Sequence, residues 1–392
     1  MKVILFSDYY YPTIKSGSIV IKDLATELAR LGHEAIVVTF NEKQKESFLD
    51  SKEGDVRVIR IKCKLRKYGM IGRLIAEIRY SSLIIRSLKK IKIEKVDGII
   101  SFSPSIFYSR AITWVKNKYK IKAYLIVRDI FPKWLLDAGI LKPGLLFSFF
   151  KRVEQKLYKS VDFVGIESVK DLDYFKPYLN NLTHLEVLDN WGSSLEPLDI
   201  EEYNSSVLPS DRVNIIYGGN MADAQDLYSL LDDLEDSALD DKAFLTLIGS
   251  GHQLDNIKSL ISSKNLKNVK LLDEVDQKTY LGILKKADIG LVSLNKKLKS
   301  NNFPLKMMGY IQLSKPILAS VNENNEIINI IKNNDIGLVS VSGDSESFNK
   351  NLQDMIEDKE KIKIQGDNAL TLFNSRFTVT IAIEKILKQF KN

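Results

Sequence analysis

Residues 299–321, KSNNFPLKMMGYIQLSKPILASV, set two asparagines, a proline and a lysine ahead of a helical pattern, then return through Ser-Lys-Pro to an apolar strand. A helix N-terminus presents unsatisfied backbone N–H groups and the positive end of a dipole, so such a turn suits an anion, a phosphate above all. Pro304 fixes the entry, Leu305 and Lys306 offer amides, and the Lys306 ammonium adds a cation. The same residues also fit an ordinary loop with a helix start and a helix stop. A second segment, VRDIFP, ends an apolar run with Arg128 and Asp129 before Pro132 turns the chain. Opposite charges at a buried strand end are costly to desolvate unless satisfied or used, so they mark either a structural ion pair or a reactive site.

Such residues need a scaffold to hold them, and the hydrophobic pattern predicts one. With 392 residues the chain exceeds the size at which one core stops growing, which predicts two domains. Apolar runs alternate with amphipathic helical patterns from KVILFSDYY onward, the pattern of parallel α/β architecture. A loop holding Ser16, Gly17 and Ser18 leads from the first strand into the helix VIKDLATELARLG, completing a βαβ unit with HEAIVVTF. Alternation lapses around Pro197 and Pro209 and then resumes at VNIIYGG. These features predict two Rossmann-like doubly wound domains, residues 1–195 and 211–375, joined by a linker at 196–210. A last helical stretch, 376–392, is placed to cross back to the first domain. Ligands in such sheets sit at the carboxyl ends of the strands.

Seven segments resemble, in order and spacing, the retaining glycosyltransferases of GT-B fold and family 4 type. They are YYPTIKSGSIVIKDLATELARLGHEAIVVT, VEQKLYKSVDFVGIES, LEVLDNW, IIYGGN, LIGSG, LKKADIGLVSL and FPLKMMGYIQLSKPILAS. With VRDIFP and GNMADAQDL they are most similar to O-antigen and capsule transferases of the L-fucosamine transferase group. The resemblance implies two domains facing across a cleft, an acceptor domain first and a nucleotide-sugar domain second. It implies a UDP-sugar donor, a lipid-linked saccharide acceptor, and retention of anomeric configuration. Donor contacts then fall to Gly17, Asn220, Gln225, Gly249, Gly251, Glu274, Val275, Asn301, Asn302, Phe303, Pro304 and Leu305. Acceptor contacts fall to Ser16, Ser18 and Ser103, and the chemistry to Asp129, Arg128 and Lys306. The sequence departs from the family at charged positions: its two glutamates fall on Asn301 and Gly309, its basic pair on Asn220 and Gln225. Replacement cations are Lys296, Lys297, Lys299 or Arg128. Two other readings stay open, a non-catalytic nucleotide-sugar-binding subunit and a nucleotide-sugar 2-epimerase on the same scaffold.

Composition narrows the remaining classes. Hydrophobic residues make up 44% and charged residues 27%, as in globular domains. Cys63 is the single cysteine, and no HExxH, Cys/His cluster or Asp-x-Asp strand end is present, so neither a disulfide framework, a bound metal nor another cofactor is expected. The net charge of +7 is uneven: residues 57–95 hold 13 Lys and Arg against Glu77 and Glu94. There Ile71, Leu74, Ile75, Ile78, Leu83, Ile84 and Leu88 recur at helical spacing, a basic amphipathic helix. Residues 144–160, GLLFSFFKRVEQKLYKS, repeat the combination. Both fit either core-facing helices with solvated rims or an anionic membrane surface. Aromatic interleaving is slight, so nucleic acid is not expected. Without a spanning run or signal-peptide pattern, the expected place is cytoplasmic, peripheral on the inner face of the plasma membrane.

Overall fold

Strands that are buried on both faces read as continuous Val/Ile/Leu runs, and most strands of this protein are of that kind. The computed structural model describes residues 1–13, 16–64, 69–137, 139–181, 184–192, 207–298 and 304–391. These form two units, Met1–Asp189 with Val379–Asn392, and Asn190–Thr378. Most of the expected linker, 193–206, lies outside the described residues, as do 299–303. Among the described residues, no helix is long and apolar enough to cross a membrane.

Unit 1 contains β1 (Lys2–Phe6), β2 (Glu34–Asn41), β3 (Phe48–Glu53), β4 (Val56–Lys62), β5 (Gly98–Phe102), β6 (Lys122–Ile126), β7 (Phe163–Ile166) and β8 (His184–Val187). Their order is β3-β4-β2-β1-β5-β6-β7-β8, parallel except where β3 pairs antiparallel with β4. Leu5 is the hub of the register, opposite Val37 on β2 and Ile100 on β5. The order reverses between β1 and β5, so the chain leaves those two strands in opposite directions and a crevice opens at their carboxyl ends.

Unit 2 contains β9 (Val213–Asn220), β10 (Ala243–Ser250), β11 (Val269–Leu272), β12 (Ile289–Ser293), β13 (Ile317–Val321) and β14 (Gly337–Val341). All run parallel in the order β11-β10-β9-β12-β13-β14, with the reversal between β9 and β12. The two-domain parallel architecture expected from the alternating pattern is therefore present in each unit.

Two elements differ from the sequence reading. The first helix begins at Ser16, not after Ser18, and the Ser18 hydroxyl donates back to the Thr13 carbonyl within its first turn. The Gly69–Lys90 helix is rotated relative to the expected apolar stripe. Ala76, Tyr80, Ile84 and Leu88 face the core, while Ile75 and Ile78 are 45% and 50% exposed. Tyr80 sets this rotation, stacking on Phe40 at 3.9 Å between ring centroids. An aromatic ring buries more apolar area than an isoleucine, so its seat decides which face turns inward.

The terminal helix, Val379–Lys391, belongs to unit 1. Glu27 accepts two hydrogen bonds from Arg30, at 2.6 and 2.7 Å, and one from the Thr380 hydroxyl at 2.5 Å. Phe390 covers Gly98, where any β-carbon would lie 2.5 Å from its ring. The Arg30 bonds, and after them that of Thr380, hold the Glu27 carboxyl below its ordinary range against the opposing effect of burial. Its contribution is therefore full above about pH 4.3, the unfolded carboxylate value, and is lost as pH falls through the depressed native value. Hydrogen exchange should show protection of Val379–Lys391 falling under acid, after correction for intrinsic rates. Glu27→Gln should lower that protection already at neutral pH.

Candidate anion-binding site

Strand β9 ends in Tyr217-Gly218-Gly219-Asn220, at the point where the second sheet reverses. Gly219 has φ +130°, and Gly249 at the end of β10 has φ +153°. A β-carbon on Gly249 would lie 1.9 Å from the Gly219 carbonyl oxygen, so only a glycine at 249 lets these backbones meet, and the positive φ at 219 favours glycine there too. The next turn closes in the same way, with Gly251 against the Met221 carbonyl and the Met221 amide donating to Ser250 at 2.8 Å. Glu274, beyond β11, accepts from the Ser250 hydroxyl at 2.6 Å, and Val275 beside it is exposed. Gly249, Gly251, Glu274 and Asn220 thus share one rim.

The Lys306–Gln312 helix reaches that rim because its own apolar side is anchored by Met307, Met308, Tyr310 and Ile311. The Tyr310 hydroxyl donates to the Leu291 carbonyl at 3.0 Å and accepts from the Gly218 amide at 3.4 Å, tying the helix to β12 and β9. Lys306 then projects over the Tyr217 ring, with Nζ 3.5 Å from its centroid, and a β-carbon on Gly219 would lie 3.6 Å from that nitrogen. Among the described residues it has no carboxylate partner. Burial pushes its pKa well below the usual lysine value. An aromatic face offers a cation partial compensation only, so an arriving anion finds an under-satisfied charge.

The turn ahead of the helix closes in part on itself. The Met307 and Met308 amides donate to Pro304 and Leu305 carbonyls, both at 3.0 Å. The Leu305 and Lys306 amides have no hydrogen-bond partner among the described residues. Asn301, Asn302, Phe303 and Lys299 lie outside the described residues. Gln225 donates nothing to the rim directly: its carbonyl accepts from the Ser293 hydroxyl at 2.6 Å, and its buried Oε1 lacks a partner among the described residues. Asn220 is exposed and its carbonyl accepts from the Tyr217 hydroxyl at 2.5 Å. Lys296 and Lys297 are exposed.

On unit 1 the sequence-chosen residues gather at the ends of β5 and β6. The Ser103 hydroxyl accepts from the Arg128 amide at 2.8 Å and donates to the Arg128 carbonyl at 3.1 Å. The Arg128 guanidinium is buried, donating to the Val127 and Asp189 carbonyls at 3.1 Å. Burial lowers its pKa, against the pull of Glu167, Tyr124, Asp189 and Asp129. Asp129 lies at the surface, yet the protein packed around its carboxyl desolvates it enough to raise its pKa, with Arg128 opposing. Gly17 sits against Phe102, where a β-carbon would be 3.1 Å from the ring. The side chain of Ser16 is outside the described set. Two residues that the sequence reading missed are Tyr217, which seats Lys306, and Asp8 past the end of β1, buried and accepting from the Tyr108 hydroxyl. Both could have been found from their place at a strand end. Among the described residues, no group of three or more His, Cys, Asp or Glu is placed to hold a metal ion.

Residues 200–371, which include Tyr217, Gly219, Gly249 and Lys306, match the family Glycosyl transferases group 1. Over that stretch, less than half of the chain, the protein is similar to group 1 glycosyltransferases. The "Probable glycosyltransferase WbjE" of Pseudomonas aeruginosa is 24% identical over 240 residues, 60% of this chain and 57% of that protein. The match thus spans little more than half of the curated relative. Two solved structures share the fold, which is of the GT-B type. WaaG, described as a glycosyltransferase involved in lipopolysaccharide biosynthesis, has a TM-score of 0.66 at 13% identity, covering 98% of each chain. HepE of Anabaena, solved in complex with UDP and glucose, has a TM-score of 0.68 at 13% identity, covering 100% of this chain and 99% of that one.

Within the matched residues 200–371, a cation held for a ligand should cost stability in its absence. Lys306→Met is expected to raise the thermal midpoint of the unliganded protein by a few degrees, on the order of 1 kcal/mol. A lowered midpoint would show that Lys306 is held for the fold alone.

Proposed function

We propose that the chain is a retaining glycosyltransferase moving a sugar from a UDP-sugar to a lipid-linked saccharide in O-antigen or capsule assembly. The observation that carries this reading is the Lys306 ammonium at the end of β9, half-buried over Tyr217 with no carboxylate partner among the described residues. A diphosphate supplies the missing countercharge, and the Leu305 and Lys306 amides supply donors beside it. The group 1 match, the probable activity of WbjE, and the UDP and glucose held by HepE support the same direction. WaaG supports a place in surface-polysaccharide synthesis. The donor sugar we favour is an N-acetylated hexosamine, N-acetyl-L-fucosamine first among them.

Catalysis on this reading is electrostatic. The bond from the anomeric carbon to the diphosphate oxygen breaks, and Lys306 stabilises the charge that builds on the departing UDP. A new bond forms from an acceptor hydroxyl oxygen to the same carbon on the face that UDP leaves, which keeps the configuration, and Asp129, whose raised pKa suits a base, takes the hydroxyl proton. Arg128 holds the Asp129 end of its strand in a field of positive charge. Ser103 positions that strand end through its paired bonds to the Arg128 backbone.

A panel of UDP-sugars with a short-chain polyprenyl-diphosphate saccharide tests this. UDP release should depend on the acceptor, and the product should keep the donor's anomeric configuration by NMR. Lys306→Met should lower kcat/KM for the donor by tenfold or more, about 1.4 kcal/mol or greater, with the acceptor KM unchanged. Donor binding without acceptor-dependent release would instead identify a binding subunit, and absence of any UDP-sugar binding would remove the reading.

A further inference from the structure

The layer of unit 1 formed by the Gly69–Lys90, Ser109–Tyr119 and Leu145–Tyr158 helices carries only two carboxylates, and both are engaged. Glu77 pairs with Arg73 at 2.8 Å. Glu154 is fully buried, paired with Lys151 at 2.8 Å and accepting from the hydroxyls of Tyr158 and Tyr174 at 3.0 and 2.5 Å. By contrast Arg79, Arg86, Arg110, Lys118, Arg152 and Lys156 are exposed, without a carboxylate in reach among the described residues. The outward charge of this layer is therefore of one sign.

Apolar side chains are exposed on the same elements. Leu145 is 93% exposed, Leu146 50%, Phe149 39%, and Ile140 in the preceding turn 68%. On the Leu145–Tyr158 helix, Leu145, Phe149, Arg152 and Lys156 follow at spacings of four, three and four, which puts them on one face, apolar first and basic last. The opposite face, Phe150, Glu154, Leu157 and Tyr158, is buried. At the basic end lies an open groove of about 510 Å³, lined by Ile85, Arg110, Trp114, Lys156 and Lys159. A solvated rim explains exposed lysines but not a leucine and a phenylalanine turned to water ahead of them.

We infer that this layer docks on an anionic lipid bilayer, with the Ile140–Phe149 end dipping into the acyl boundary and the groove at the level of the headgroup phosphates. The occupant is set by charge complementarity together with the apolar-to-basic order along one helix, which matches the order of a leaflet from its interior outward. For why the protein should sit there, the inference rests on the proposed lipid-linked acceptor.

Co-sedimentation of the full chain with phosphatidylglycerol-containing and pure phosphatidylcholine vesicles tests it. Binding should favour the anionic vesicles at least tenfold. The double variant Leu145→Glu/Phe149→Glu should lose at least tenfold, as should Arg152→Glu/Lys156→Glu, whereas Val341→Glu/Ile364→Glu on unit 2 should bind as wild type. Equal binding to both vesicles, or full binding by the first two variants, overturns the inference. So does a concentration-dependent dimer in light scattering that Leu145→Glu abolishes, since the face would then belong to a second copy. UDP binding by the docking variants should stay at the wild-type level, so loss of vesicle binding alone separates this failure from failure of the donor reading.

Discussion

An ammonium held over an aromatic ring, with no carboxylate to neutralise it among the described residues, is the constraint on which the second unit is arranged. Lys306 can occupy that position only if three conditions hold together. The strand beneath must end in Tyr217, the backbone beside it must be glycine, and the helix behind must be fixed to the sheet. Tyr310 meets the last condition by bonding β12 and β9 at once, and Gly219 and Gly249 meet the second by letting two strand ends touch. The resulting charge costs stability, and on the proposed reading a bound anion offsets that cost.

The position of this charge also answers a compositional gap. At the positions where the resembling family carries a basic pair, this chain has Asn220 and Gln225. Lys306 brings a cation to the same strand end from a different element, beside Gly219. Unit 1 uses the opposite device at its own strand ends. There Arg128 is buried and spent on main-chain carbonyls, and the group left at the surface is the carboxyl of Asp129.

Much of this was legible in the sequence because buried parallel strands leave unbroken apolar runs. VNIIYGG, AFLTLIGSG and PILASV mark β9, β10 and β13 almost to the residue, and the glycines at their ends mark where backbones approach. What was not legible depended on competition between side chains. The Gly69–Lys90 pattern fits more than one apolar face, and the choice fell to Tyr80 because Phe40, forty residues earlier, provides a ring to stack on. Ile75 and Ile78 were displaced to the surface as a result. Likewise, the letters NFPLK point to the Leu305 and Lys306 amides but do not show that those of Met307 and Met308 close on Pro304 and Leu305. The tyrosine that seats Lys306 is nearly ninety positions away, and only the sheet order brings it there.

The central claim is a proton-linked one. Burial lowers the Lys306 pKa, and on the proposed reading an arriving diphosphate raises it again, because the anion favours the charged form. Titration calorimetry of UDP binding in two buffers of different ionisation enthalpy, repeated over a series of pH values, measures that linkage directly. The wild-type protein should take up more protons per UDP bound than Lys306→Met. Equal uptake by both proteins would contradict the account.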